Sequence, residues 1–167
     1  MNFRTIFHNQ HVILPVIHVG SQQQALRNVQ IAREAQADGI FLINHEMSGA
    51  ALLTIHRAVV AEHPDWWVGV NCLDLTPFEV FHHIDDTAAG VWVDNALIDE
   101  QAEQQPLAEA VLAVRKKAGW PGLYFGGVAF KYQRLIYDLR QAAVQATPYM
   151  DVVTTSGPGT GHAAAVE

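Results

Sequence analysis

The chain reads as short apolar runs that turn polar at their ends, each followed by a segment with a helical period. The first run is Val16-Ile17-His18-Val19, set behind Pro15, which has no N–H to give to a sheet ladder. Ile40-Phe41-Leu42-Ile43 runs into Asn44-His45-Glu46, and Trp67-Val68-Gly69-Val70 into Asn71-Cys72-Leu73-Asp74. Gly90-Val91-Trp92-Val93 ends in Asp94-Asn95, and Leu123-Tyr124-Phe125 leads through glycines to Phe130-Lys131. The sixth run begins at Met150 and passes into Ser156-Gly157-Pro158-Gly159-Thr160-Gly161-His162. Runs that are mostly continuous rather than alternating predict strands buried on both faces, the habit of a parallel sheet.

The intervening segments predict helices. Ser21 is placed to cap one carrying Leu26, Val29, Ala32 and Ala35 on one face, ended by Asp38-Gly39. Ser48 is placed to cap a second, through Leu52, Ile55, Val59 and Val60, which Pro64 stops. Thr76-Pro77-Phe78-Glu79 has the residues of a capping box with proline in the first turn. Pro106 opens a fourth helix through Leu107, Val111 and Val114, with Lys116 and Lys117 in its last turn and Gly119 behind it. A fifth is expected to carry Leu135, Ile136, Leu139 and Ala143, and a sixth to begin near His162. Residues 1–10 read as a surface lead-in.

The strand starts, near His11, Gly39, Trp67, Gly90, Gly122 and Met150, recur at intervals of 28, 28, 23, 32 and 28 residues. One repeated βα unit explains this spacing. The expected fold is α/β, a parallel (β/α) barrel of the TIM type in a single domain over 1–167, with six of eight units visible. A doubly wound open sheet fits less well, because the turn after its first strand should be glycine-rich and here reads His18-Val19-Gly20-Ser21. Six units would leave the first and last strands as open edges. Association into a homo-oligomer through those edges is therefore expected.

Charge and composition narrow the partners. With 10 basic and 17 acidic residues the formal charge is -7, which argues against DNA or RNA as a partner. No apolar run approaches the roughly 18 residues of a membrane span, and no signal-peptide layout opens the chain. The single cysteine, Cys72, excludes an internal disulfide framework and suits a reducing, cytoplasmic setting; it reads as a small buried core residue. Nine histidines raise the question of a metal. His18, His45 and Asp94 supply suitable donors, but no ligand spacing supports them, and neither a metal nor another cofactor is expected. His8, His11, His56, His63 and the His82-His83 pair read as surface residues, His162 as a cap, and the four tryptophans as packing.

In a barrel of this kind the chemistry lies where the strands end. The polar residues expected there suit proton transfer on a sugar or its phosphate. Asp94 is the candidate base, with His18 and Lys131 as acid or electrostatic stabiliser. Asn44, His45, Asn71, Asn95 and Ser156 are candidates for orienting a substrate. Gly157, Gly159, Thr160 and Gly161 form a loop whose main-chain N–H groups, ahead of a helix start, suit an anion; a tight packing turn is the equal alternative.

Pro15-Val16-Ile17-His18, Ala37-Asp38-Gly39-Ile40, Val68-Gly69-Val70-Asn71 and the block from Asp151 to Gly161 together resemble the BtpA/SgcQ family. The Ser-Gly-Pro-Gly-Thr-Gly block is the most specific part. The resemblance implies a ribulose-phosphate-binding TIM barrel that holds a small phosphorylated ligand, a sugar or a nucleoside-related compound. Acid–base isomerisation or lyase-type cleavage is the chemistry that the polar strand ends and the glycine loop point to, beside this resemblance. One branch of that family is associated with photosystem I biogenesis and another with sugar-utilisation gene clusters. The family pattern also holds phosphate on loops after the seventh and eighth strands, which this sequence does not contain. A non-catalytic assembly factor and a metal-dependent hydrolase are the alternative readings.

Overall fold

In the computed structural model, which describes residues 2–159 and 161–163, helices and strands alternate along the chain. They are α1 (Phe3–Ile6), β1 (Val16–His18), α2 (Gln22–Glu34), β2 (Gly39–Ile43), α3 (Gly49–Glu62) and β3 (Trp67–Asn71). There follow α4 (Pro77–His83), β4 (Gly90–Val93), α5 (Pro106–Ala118), β5 (Leu123–Gly127), α6 (Leu139–Ala146) and β6 (Val152–Thr154). All six strands lie in one parallel sheet in the order β1-β2-β3-β4-β5-β6. Each strand thus pairs with the next in sequence, and no reversal of strand order creates the switch point of a doubly wound sheet. This is an α/β fold of the TIM-barrel type, with six strands among the described residues. Among the described residues, β1 and β6 each pair on one side only.

The helix starts follow local chemistry. Ser21, Ser48 and Thr76 cap α2, α3 and α4 through their side-chain oxygens, and Thr76 with Glu79 forms the reciprocal box. Gly119, at φ 68°, ends α5 in the left-handed region.

Successive strand residues face opposite sides, and two apolar layers result. Ile17, Ile40, Leu42, Val68, Val70, Val91 and Tyr124 pack under the helices. Phe41, Trp67, Leu123 and Phe125 form the inner layer, together with Phe7. Gly69 and Gly90 are register partners on that inner face. A Cβ at Gly69 would lie 2.5 Å from the Phe41 ring, and one at Gly90 2.3 Å from the Trp67 ring. These two glycines make the space that the large rings fill, the small–large alternation by which a narrow barrel is packed.

Three expectations need correction. Residues 1–10 are not a plain surface lead-in. Asn2 caps α1, and Phe7 is buried, with Phe3 4.9 Å away on one side and Trp67 5.4 Å away on the other. Because Trp67 and Leu123 begin their strands, this segment covers the inner layer where the strands start. The fifth helix starts later than expected, at Leu139. Asp138 is its cap, accepting from the Gln141 N–H at 2.8 Å, and Leu135 is left exposed in the preceding loop. His56, expected at the surface, is 1 % exposed on α3 and donates from Nε2 to the Val68 carbonyl at 3.3 Å. Burial lowers its pKa, so it is held neutral.

Two carboxylates give the fold an acid limit. Hydrogen bonding to the Arg134 guanidinium holds Glu100 down to about 2, against an ordinary 4.5. The Thr87 hydroxyl, then Arg57, hold Asp85 at about 2 against 3.8. Both folded values lie below the unfolded ones. Their stabilisation is therefore complete above pH 4.5 and is lost as pH falls toward 2. Thermal melts at about pH 5 and about pH 3 should show a lower Tm in acid, and Arg134→Met should shrink that difference. An unchanged difference in the variant would remove Glu100 from this account.

Candidate active site at the strand ends

Parallel strands bring all their C-terminal tips to one end of the sheet. His18 closes β1 and Asn71 closes β3; Asp94 follows β4 directly, and His45, Lys131 and Ser156 lie in the loops after β2, β5 and β6. Neighbouring tips are joined in pairs. His18 Nδ1 and His45 Nε2 are 2.7 Å apart with the rings nearly parallel, at 6°. Asn71, 1 % exposed, donates from Nδ2 to Asp94 Oδ1 at 2.9 Å. The Lys131 main-chain N–H donates to Ser156 Oγ at 2.8 Å, and Ser156 Oγ donates to the Gly157 carbonyl at 2.9 Å. Each pair spans two adjacent strands.

The mouth is electrostatically connected. Burial, then His45, then the Lys131 ammonium lower the His18 pKa below its ordinary 6.5. The Lys131 ammonium also lies 6.0 Å from the centre of the Tyr132 ring.

Other expected site residues serve their own loops. Asn44 is buried; its amide donates to the Met47 carbonyl and to Asp74 Oδ1, and its Oδ1 accepts from the Leu73 N–H. Asp74 also accepts from the Gly49 N–H at the start of α3, so Asn44 ties the β2 and β3 loops together. Asn95 Oδ1 accepts from the Leu97 N–H, and the residue lines a separate cavity with Leu97, Ile98 and Gln133. A Cβ on Gly157 would come 1.9 Å from the His162 carbonyl, because the loop folds back on itself there. Gly159 accepts from the His162 N–H through its carbonyl, and Gly161 has φ 80°. Thr160 lies outside the described residues, as do 164–167, where most of the helix expected from His162 would fall.

Two cavities adjoin the tips. One, of about 560 Å³, has Phe41, Trp92, Phe125 and Phe130 in its wall and Lys131, Thr154 and Ser156 at its polar end. Trp92 Nε1 and Thr154 Oγ1 are buried there without a hydrogen-bond partner among the described residues. The other, of about 330 Å³, is lined by His18, Val19, Gly20, His45, Glu46 and Met47.

No protein-family model matches the chain, and no curated protein matches it. Among solved structures, a probable mandelate racemase from Alicyclobacillus acidocaldarius is similar, at 11 % identity and a TM-score of 0.41. The match covers 86 % of this chain and 48 % of that one, so the chain spans about half the length of the structure it resembles. A likeness at that level carries no argument about chemistry.

Among the described residues, no three His, Cys, Asp or Glu side chains are grouped as metal donors. The His18–His45 pair and the Asn71–Asp94 pair are instead hydrogen-bonded. Burial, and then Asp74, push the Cys72 thiol up to about 12, which leaves it inert as a nucleophile at neutral pH. No helix among the described residues is long and apolar enough to cross a membrane.

Residue order also concealed one participant. Gln133 Nε2 donates to the Asp94 carbonyl, pinning the end of β4 from the loop after β5. Nothing at 130–136 in the sequence signals this, because the contact crosses two strands. Chemically, the strand ends carry a carboxylate steadied by an amide, an imidazole pair and an ammonium; the imidazoles and Lys131 line different cavities, and Asp94 lines neither. That set can move a proton on a bound hydroxyl or carbonyl compound and balance a negative charge.

Proposed function

We propose that the chain is a ribulose-phosphate-binding-type barrel protein of the BtpA/SgcQ kind, which takes a small phosphorylated sugar or nucleoside-related compound at its strand ends. Asp94 acts as base, with His18 and Lys131 as acid and charge stabiliser. The reaction class is acid–base isomerisation or lyase-type cleavage. The observation that carries the reading is that His18, His45, Asn71, Asp94, Lys131 and Ser156, far apart in sequence, end their strands or follow them at one end of one sheet and are linked in pairs.

Calorimetric titration with ribose 5-phosphate and ribulose 5-phosphate tests it. Lys131→Ala should weaken binding by about 10- to 100-fold, the loss of a charge-assisted contact. Asp94→Asn should leave affinity within a few-fold but slow substrate deuterium exchange in D2O by about 10² or more. Absence of heat with either phosphosugar, in protein shown to be folded, would sink the reading.

The exposed apolar side chains Tyr132, Leu135, Tyr137 and Leu139, in the segment between β5 and β6, favour a second reading: a non-catalytic assembly factor holding a protein partner, or a second copy. In that case Asp94→Asn and Lys131→Ala would leave the biological effect unchanged.

A further inference from the structure

We infer that His18 and His45 share one hydrogen between their facing nitrogens, so that the pair can take up only one further proton, and that an anion at the mouth draws that further proton in, so that ligand binding is linked to uptake of one proton. The second half rests on the proposed phosphorylated ligand; the first does not. The geometry fixes the proton count. At 2.7 Å, His18 Nδ1 and His45 Nε2 can share one hydrogen, with one nitrogen donating and the other bare. Two N–H groups cannot face each other at that distance. The neutral pair therefore accepts one proton at an outer nitrogen without losing its bond, and a second only by breaking it.

The surroundings set the direction of the coupling. Glu46 lines the same cavity, and Lys131 acts on His18 from the loop after β5. From α2 comes Gln24, which is uncharged and donates to the His18 carbonyl. Asp94 and Asp74 are engaged with Asn71 and with Asn44 and the Gly49 N–H. The Lys131 ammonium opposes a second positive charge at His18. An anion that compensates Lys131 removes the opposition and adds an attraction, and the imidazole pair becomes a cation.

Sulfate is the probe, because it stays dianionic across the range and brings no proton of its own. Difference potentiometry of the wild type against the His18→Gln/His45→Gln double variant, from about pH 8 to about pH 5.5, should count one proton. Each single variant against the double should also count one. In the wild type, the two ring Cε1–H resonances should move together with one midpoint. Sulfate should raise that midpoint, and its own affinity should tighten about tenfold for each pH unit lowered while the pair is neutral. Lys131→Ala should remove most of the sulfate effect and leave the proton count at one. Two protons in the wild type, or two separate midpoints, would overturn the shared proton. A midpoint indifferent to sulfate would overturn the coupling while leaving the shared proton in place. Neither outcome depends on whether a phosphosugar is turned over.

Discussion

Phe41→Ala should lower stability by about 3–5 kcal/mol, a large part of the roughly 5–15 kcal/mol that a domain has in total. Phe41 is the hub of the inner layer. Its ring meets Phe125 at 5.0 Å, Trp67 at 5.1 Å and Trp92 at 5.7 Å, each edge to face. It also stands over Gly69, where no side chain exists to move into the space. Truncation thus removes the transfer energy of the ring and leaves a hole that the β3 backbone cannot fill. At about 2–4 °C per kcal/mol for a chain of this size, Tm should fall by about 6–20 °C. Leu135→Ala is the control. Leu135 is likewise a large apolar residue but is 71 % exposed, and its change should stay within about 0.5 kcal/mol. If the two variants melt together, the inner face is not a packed layer.

That contrast shows what could be read from the chain and what could not. The fold was legible because each βα unit repeats the same local signals. Ser21, Ser48 and Thr76 cap where expected, and the apolar runs at 40–43, 67–70 and 90–93 form strands. The sheet then adds nothing but neighbour-to-neighbour pairing. The inner layer was less legible. Phe3 and Phe7 sit in a short segment with no period, and only the long-range approach of Phe125 to Phe3 and of Trp67 to Phe7 gives them a place. Leu135 has the right spacing for a helix face, but Arg134 ties the loop to Glu100 and Asp99, and Asp138 offers a better cap. Tertiary ties of this sort override propensity.

At the site, the sequence could place His18, Asn71 and Asp94 at strand ends, since a strand's end is a local property. It could not say which of them would meet. The Asn71–Asp94 bond depends on the register between β3 and β4, and the His18–His45 contact on how the β2 loop turns. Asn44 and Asn95, one and two residues past their strands where Asn71 ends one, instead have side chains that satisfy loop N–H groups. An asparagine just past a strand competes between those two uses, and only the loop path decides.

Gly127→Ala should dismantle the site from outside it. Gly127 ends β5, and the place where its Cβ would stand is occupied by the end of β4. The Asp94 carbonyl oxygen would be 2.0 Å away, its carbon 2.5 Å and the Val93 oxygen 2.9 Å. These are main-chain atoms, so no side-chain rotation relieves the clash. The ends of β4 and β5 must separate by about an ångström or more, at a cost of about 1–3 kcal/mol. The same movement breaks the hold on Asp94. The Ala96 N–H donates to the Gly127 carbonyl, Gln133 donates to the Asp94 carbonyl, and Asn71 steadies the carboxylate at 2.9 Å. A base displaced by an ångström loses about a hundredfold in rate. The expected result is a folded protein, by circular dichroism, with a lower Tm and deuterium exchange on a phosphosugar reduced about as far as in Asp94→Asn. Gly20→Ala provides the comparison, because a Cβ there meets nothing within 4 Å and its stability should match the wild type. Equal Tm values for the two glycine variants would mean that β4 and β5 do not close on each other as described, and Asp94 would lose the support on which its proposed role as a base depends.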